Sequence, residues 1–158
     1  MKDVYIYLIL LLIIVLMVWK RRSIKNVVAH FKIRPNDSYG SGKFGAIRER
    51  NGKKYIHQGL DIEVEKGEPI YAPFDIYFNR IAYPYPDKSF LGAQYNNDIF
   101  KMKIFYFEPI LDRKFFKKGE VIGYGQKISD RYPNINDHIH LELRDKGTDK
   151  LLNPEKYV

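Results

Sequence analysis

Two short segments far apart in the chain carry three of its four histidines, and their residue types can bind a metal ion. The first segment reads Tyr-Ile-His-Gln-Gly-Leu-Asp-Ile and contains His57 and Asp61. The second reads Asp-His-Ile-His-Leu-Glu-Leu and contains His138 and His140. Both segments are short and rich in branched and aromatic residues, which predicts two β-strands.

Side chains two or four residues apart on a strand lie on the same face, so each segment presents its polar groups together. If the strands are neighbours, imidazoles and a carboxylate converge. Three protein ligands and one open position are typical of catalytic zinc sites, whereas structural zinc sites use four ligands, usually with cysteine. The chain contains no cysteine. The pattern predicts a catalytic type of metal centre; ordinary strand histidines, the alternative, would suit a lone histidine better.

The composition is that of one globular domain with a short additional segment. The chain has 158 residues, of which 15% are aromatic, and a net charge of +8. Without residues 1–22, 23 basic and 18 acidic residues leave a net charge of +5. This charge favours contact with an anionic polymer or membrane surface, although a mildly basic solvated surface explains it equally well. No clustered arginine motif indicates nucleic-acid binding.

A run of 16 apolar or aromatic residues, 4–19, predicts a transmembrane helix. Such a helix is about 24 Å long, slightly shorter than the ~30 Å hydrocarbon core. Aromatic residues lie at both ends of the run, as at membrane interfaces, and the basic residues 20–22 follow it. A cleaved signal peptide is the alternative, but no small-residue cleavage site follows. We therefore predict an uncleaved single-pass anchor in residues 1–22.

The charges that flank this predicted helix and the chemistry predicted for the domain favour opposite orientations in the membrane. More positive charge follows the helix than precedes it, which favours a cytoplasmic C-terminal domain. The chemistry predicted for the domain would be more useful outside the cell. We weight the chemistry more and predict an extracytoplasmic domain.

Residues 23–37 are predicted to form a basic linker and residues 38–158 a β domain. No convincing helical period occurs after residue 23, and short apolar runs are separated by turns rich in glycine and proline. This favours a mostly β fold, an antiparallel β-sheet sandwich. A Lys-Gly turn that leads into an apolar strand occurs twice, at Gly67 and at Gly119, which suggests two related hairpins.

Several motifs across residues 38–154 resemble, in the same order, those of the lysostaphin-type zinc endopeptidases, which cut peptide cross-bridges in bacterial cell walls. The motifs are Phe-Gly-Ala, His-Gln-Gly-Leu-Asp, Tyr-Ala-Pro, Lys-Gly-Glu-Val-Ile-Gly and His-Ile-His-Leu-Glu. The resemblance implies an antiparallel β-sheet core with one zinc ion in a groove. It implies His57, Asp61 and His140 as the zinc ligands. It also implies His138 as the general base or transition-state stabiliser beside the metal.

One catalytic residue of this family is missing. Active members have a further histidine in a Tyr-x-His-Leu-like strand, whereas this chain has no histidine between His57 and His138. Tyr106 aligns with the missing histidine, with Phe107 as the alternative. Tyrosine can donate a hydrogen bond to an oxyanion, but it is a poor base because its reference pKa is about 10. The substitution predicts a weak enzyme.

The same strand, Phe-Tyr-Phe-Glu-Pro-Ile, and the segment Tyr-Pro-Asn-Ile-Asn-Asp-His-Ile-His resemble the leukocyte cell-derived chemotaxin 2 branch of this fold. That branch consists of zinc-containing binding or signalling proteins, not peptidases; its disulfide cysteines are absent from this chain.

Two functions therefore stay open. One is a membrane-anchored zinc protein that hydrolyses or binds peptide cross-bridges of peptidoglycan or another anionic cell-surface polymer. The other is an inactive, zinc-stabilised module that binds a protein or glycan partner. A purely regulatory wall factor is disfavoured, because such factors usually lose the zinc ligands.

Overall fold

The computed structural model describes residues 27–157, where nearly all regular structure is β-strand. The strands in this range are β1 (Ile47–Arg50), β2 (Lys53–Ile56), β3 (Leu60–Glu63), β4 (Pro69–Tyr71), β5 (Ile76–Ala82), β6 (Gly92–Asn96), β7 (Phe100–Phe105), β8 (Phe107–Pro109), β9 (Phe115–Phe116), β10 (Val121–Gly125), β11 (His138–Asp145) and β12 (Leu151–Leu152). Short 3-10 helices occupy Ile128–Asp130 and Pro154–Tyr157. The predicted mostly β fold is confirmed.

Three antiparallel sheets organise these strands. The largest has the order β12-β11-β7-β6-β5-β9, and β3 also pairs with β11. A three-stranded sheet has the order β4-β10-β8, and β1 and β2 form a separate hairpin. Every strand pair is antiparallel, as the sequence predicted. β11 is the strand on which the largest sheet and β3 meet.

Alternation along the strands of the largest sheet decides which face is buried. In β7 the side chains of Phe100, Met102 and Ile104 are buried, whereas Lys101 and Lys103 between them are half-exposed. β11 alternates in the same way, with three buried aliphatic residues between polar ones. One face of the sheet therefore packs on the core, and the other is left to polar side chains.

The start of the described range packs onto this core. Val27 and Val28 are buried, and the Val27 carbonyl accepts a hydrogen bond of 2.8 Å from the Tyr71 amide. Both valines lie in the segment predicted as a linker, residues 23–37. The described part of that segment therefore contacts the β domain, because its apolar side chains complete the core.

The two related Lys-Gly turns face each other in the fold. Gly67 precedes β4, Gly119 precedes β10, and these two strands pair antiparallel. Gly67 donates a hydrogen bond to the Gly125 carbonyl, and Gly119 donates one to the Ala72 carbonyl. Both glycines have positive φ angles, 82° and 85°, which explains why glycine occurs at both turns.

Within residues 27–157, no helix is long and apolar enough to cross a membrane. The predicted anchor in residues 1–22, with its apolar run 4–19, lies outside the described residues.

We predict that Ile104→Ala lowers the free energy of unfolding by about 2–5 kcal/mol, because a fully buried side chain in the centre of β7 is replaced by a cavity. Ile47→Ala is the matched control, since Ile47 is 73% exposed. The control should cost less than about 1 kcal/mol. Urea denaturation followed by circular dichroism measures both, and equal losses would contradict the assignment of the core.

Candidate metal centre

Antiparallel pairing of β3 with β11 brings the two histidine-containing segments together. His140 lies directly opposite Asp61 in the register, and His138 lies opposite Glu63. The predicted juxtaposition of the segments is thus present in the structure. His57 joins them from the short connection between β2 and β3.

His57 was predicted to lie on a strand, but it lies just after β2, outside the ladder. Its amide donates to the Ala46 carbonyl, and its own carbonyl accepts from the Gly45 amide, both at 2.9 Å. Two residues further on, Gly59 passes closely over β11. A Cβ atom added at Gly59 would lie 2.5 Å from two ring atoms of His140.

Three side-chain atoms form a compact triangle at the centre. The Nε2 atom of His57 lies 3.0 Å from Nδ1 of His140 and 3.1 Å from Oδ1 of Asp61. The third side, from His140 Nδ1 to Asp61 Oδ1, is 2.9 Å. Within the described residues these side chains form a group that can hold a metal ion.

Hydrogen bonds on the outer side of both rings determine which nitrogens face the centre. Nδ1 of His57 lies 2.8 Å from the Lys43 carbonyl, which can only accept a hydrogen bond. Nε2 of His140 lies 3.4 Å from the Glu142 carboxylate, which in turn accepts a bond of 2.9 Å from Lys103. With the ring protons on these outer nitrogens, both inner nitrogens present lone pairs.

Two lone pairs and a carboxylate oxygen at mutual distances of about 3 Å repel one another unless a cation lies among them. Three atoms at this spacing could all bind one zinc ion, because bonds of zinc to nitrogen and oxygen are about 2 Å long. Although burial lowers the pKa of His140, the neighbouring carboxylates of Asp61 and Glu142 raise that pKa overall. The centre therefore attracts positive charge, and its donor set fits zinc.

Asp61 is held by its second oxygen, which faces away from the triangle. This Oδ2 atom accepts hydrogen bonds from Nε and Nη2 of Arg34, at 3.3 and 3.2 Å, and from Nη2 of Arg48. Burial alone would raise the pKa of Asp61, but the adjacent rings of His140 and His57 lower it well below its usual range. Asp61 is therefore an anion whose Oδ1 atom is left for the centre.

No sequence pattern predicted that these two arginines lie at the centre. Arg34 lies in the predicted linker and is 1% exposed, which is unusual for a charged residue. It also bonds Asp37 and the Gly40 carbonyl. No motif marks it. The signal that the sequence offers is its place directly after the alternating residues Phe-Lys-Ile.

His138 lies beside the triangle and not in it. Its Nε2 atom is 3.8 Å from Oδ2 of Asp61, and its Nδ1 atom is 2.7 Å from the Asn136 carbonyl. Burial lowers the pKa of His138, and the nearby Asp61 only partly opposes this effect. The ring is therefore neutral near pH 7, with a lone pair on Nε2.

Tyr106 occupies the bend between β7 and β8, with a φ angle of 67°. Its ring packs edge-on against His138 at 5.4 Å, and its hydroxyl lies 3.1 Å from that of Tyr85. Burial raises its pKa, so the phenol stays protonated. Phe107, the alternative position, is fully buried in the core. Tyr106 and His138 share a cleft of about 250 Å³ that is also lined by Tyr85 and other tyrosines.

The structure thus gathers His57, Asp61 and His140 at one point, with His138 and then Tyr106 beside them. Their roles as zinc ligands and catalytic residues stay predictions.

Relatives of this chain are found both by sequence and by fold. Leukocyte cell-derived chemotaxin-2 from Bos taurus is 35% identical over 113 residues, which cover 70% of this chain and 72% of the relative. No family model matches the chain. The antimicrobial peptidase lysostaphin from Staphylococcus simulans has a TM-score of 0.60 at 14% identity, covering 85% of this chain and 52% of that one. Its catalytic domain alone has a TM-score of 0.52 at 16% identity, covering 75% and 89%.

We predict that Gly59→Ala weakens zinc binding by about 10–100-fold, because the added Cβ displaces the His140 ring. Gly147→Ala is the matched control, since its nearest neighbour would be Oδ1 of Asp145 at 3.5 Å. Competition with a chromophoric chelator measures the dissociation constant, and circular dichroism checks that both variants fold. Equal zinc affinities in the two variants would show that the centre does not include His140.

Proposed function

The chain belongs to the leukocyte cell-derived chemotaxin-2 family and has the lysostaphin type of fold, and on this basis we propose that it is a zinc protein that binds peptide cross-bridges of peptidoglycan and hydrolyses them slowly. One observation carries the proposal. Three acceptor atoms, on His57, Asp61 and His140, face one another at 2.9–3.1 Å. These atoms would hold one zinc ion per chain.

Zinc at this position would polarise a peptide carbonyl and acidify a water molecule. The protein residues around it have separate tasks. His138 is neutral and presents the Nε2 lone pair, so it can accept a proton as general base. Tyr106 can donate a hydrogen bond to a developing oxyanion, but its raised pKa prevents it from acting as a base. One missing base costs about 10²–10⁴ in rate, hence the slow hydrolysis.

A binding module without hydrolysis is the second candidate. It is favoured by the 3.1 Å contact between the Tyr106 and Tyr85 hydroxyls, which engages the one polar side-chain atom of Tyr106. The chemotaxin relatives also favour it. Zinc would then tie β3, β11 and the connection around His57 together, and the cleft beside His138 would bind a protein or glycan partner.

Metal content and turnover separate the two candidates. We predict one zinc ion per chain and slow release of amino groups from purified peptidoglycan or pentaglycine, abolished by a chelator and restored by zinc. Tyr106→His should raise the rate by up to about 10²-fold, and His138→Ala should remove it. Tyr124→His, at a residue 45% exposed, is the control for an added histidine and should change nothing.

If both the unaltered chain and Tyr106→His contain zinc but release no amino groups, hydrolysis is excluded and the binding module remains. A chain without zinc would refute both candidates.

We further propose that residues 4–19 anchor the protein in a membrane, with the domain on the extracytoplasmic side. The full chain should stay in the membrane fraction after carbonate extraction, and a chain lacking residues 1–22 should not. Protease added to intact cells should degrade the domain. A protected domain would reverse the orientation, and release of the full chain by carbonate would exclude the anchor.

A further inference from the structure

The outer face of the largest sheet carries a shallow basic trough that begins beside the metal centre. Its volume is about 210 Å³. The charged residues that line it come from β5, β7, β11 and the turn after β11, and they are Arg80, Lys101, Lys103, Arg144, Glu142 and Asp149. The polar side chains that alternate with buried ones along β7 and β11 thus form one continuous surface.

The strand register places this trough relative to the centre. Moving along β11 and β7 away from the centre, the opposed pairs are His140 with Phe105, Glu142 with Lys103, and Arg144 with Lys101. Each step of two residues is about 7 Å, so the second and third pairs lie about 7 and 14 Å from His140. Glu142 accepts hydrogen bonds from both His140 and Lys103, which makes the trough continuous with the centre.

The charges in the trough do not balance. Four cations face two carboxylates, and Asp149 alone serves both Lys101, at 2.9 Å, and Arg144, at 3.9 Å. Arg80 donates to the amide oxygen of Gln94 at 3.0 Å. The side chains of Lys101, Lys103 and Arg144 are 30–35% exposed. Exposed ion pairs are weak, so an incoming anion can replace Asp149 at little cost.

From this geometry we infer that the basic trough binds an acidic stretch of the peptide whose backbone lies at the metal centre. The inference rests on the proposed function, which places a peptide at the metal centre. It adds that this peptide carries negative charge. An extended peptide rises about 3.4 Å per residue, so a carboxylate two residues from the position at His140 would lie near Lys103, and one four residues away near Lys101 and Arg144. Arg144 can bind such a carboxylate through two parallel hydrogen bonds.

The spacing favours a peptide over another polyanion. Same-face side chains of an extended peptide repeat at the interval that separates Lys103 from Lys101, because both follow the two-residue period of a strand. The occupant is therefore a peptide with carboxylates at alternate positions. Polyphosphate, which has evenly dense charge, serves as the competing probe.

Fluorescence anisotropy of the full zinc-loaded chain with labelled peptides tests the inference. The probe is a glycine-rich decapeptide with glutamates at two alternate positions, and its reference has glutamine at both. The acidic peptide should bind at least about tenfold tighter, and high salt should reduce the difference. The double substitution Lys101→Gln and Arg144→Gln should remove this preference. The matched control, Lys114→Gln with Lys117→Gln beside the distant edge strand β9, should retain it.

Equal binding of the two peptides, or a preference that survives in the trough variant, would overturn the inference. Tighter binding of polyphosphate through the same two residues would also overturn it and assign the trough to a phosphate polymer. Zinc content and peptidoglycan hydrolysis are measured on the same samples. A chain without zinc that still prefers the acidic peptide refutes the proposed function alone. A zinc-loaded chain that hydrolyses peptidoglycan without this preference refutes the trough alone.

Discussion

The carboxylate of Asp61 is the group on which the rest of the structure depends. One of its oxygens accepts hydrogen bonds from Arg34 and Arg48, and the other faces His57 and His140. A buried charge is tolerated only when it is paired and hydrogen-bonded, and removal of one partner typically costs 3–5 kcal/mol. Through this single group the start of the domain, the β1–β2 hairpin, β3 and β11 are bound to one another. Binding of a metal ion at Oδ1 would therefore be coupled to folding.

One face of the largest sheet packs on the core, and the other face carries polar side chains that include His140. The same alternation in β7 and β11 buries one set of side chains and presents the other. Because a strand has a period of two, one residue of register shift would exchange the sets and destroy both the core and the centre. The fold thus leaves little freedom at β11, which supplies both His138 and His140 and pairs with β3, β7 and β12.

The sequence predicted the parts of the centre that depend on spacing along one strand. His138 and His140 share a strand, and Asp61 lies opposite His140, as an alternating pattern leads one to expect. The sequence could not predict that His57 lies outside a strand, because its backbone bonds go to Gly45 and Ala46, and only the fold brings these residues to it. The arginines at Asp61 and the basic trough were also missed. Both arise from side chains distant in sequence, and only the register brings them together.

The positive φ angle at Tyr106 has an evolutionary consequence. A tyrosine in the left-handed region is strained by about 1–2 kcal/mol, and a β-branched residue would be tolerated less well, whereas histidine, asparagine and aspartate are enriched there. The backbone conformation at this bend therefore restricts which residue types can occupy the position beside His138. A tyrosine codon differs from a histidine codon by one nucleotide. A single point mutation can therefore place a histidine beside His138, in a backbone conformation in which histidine is enriched.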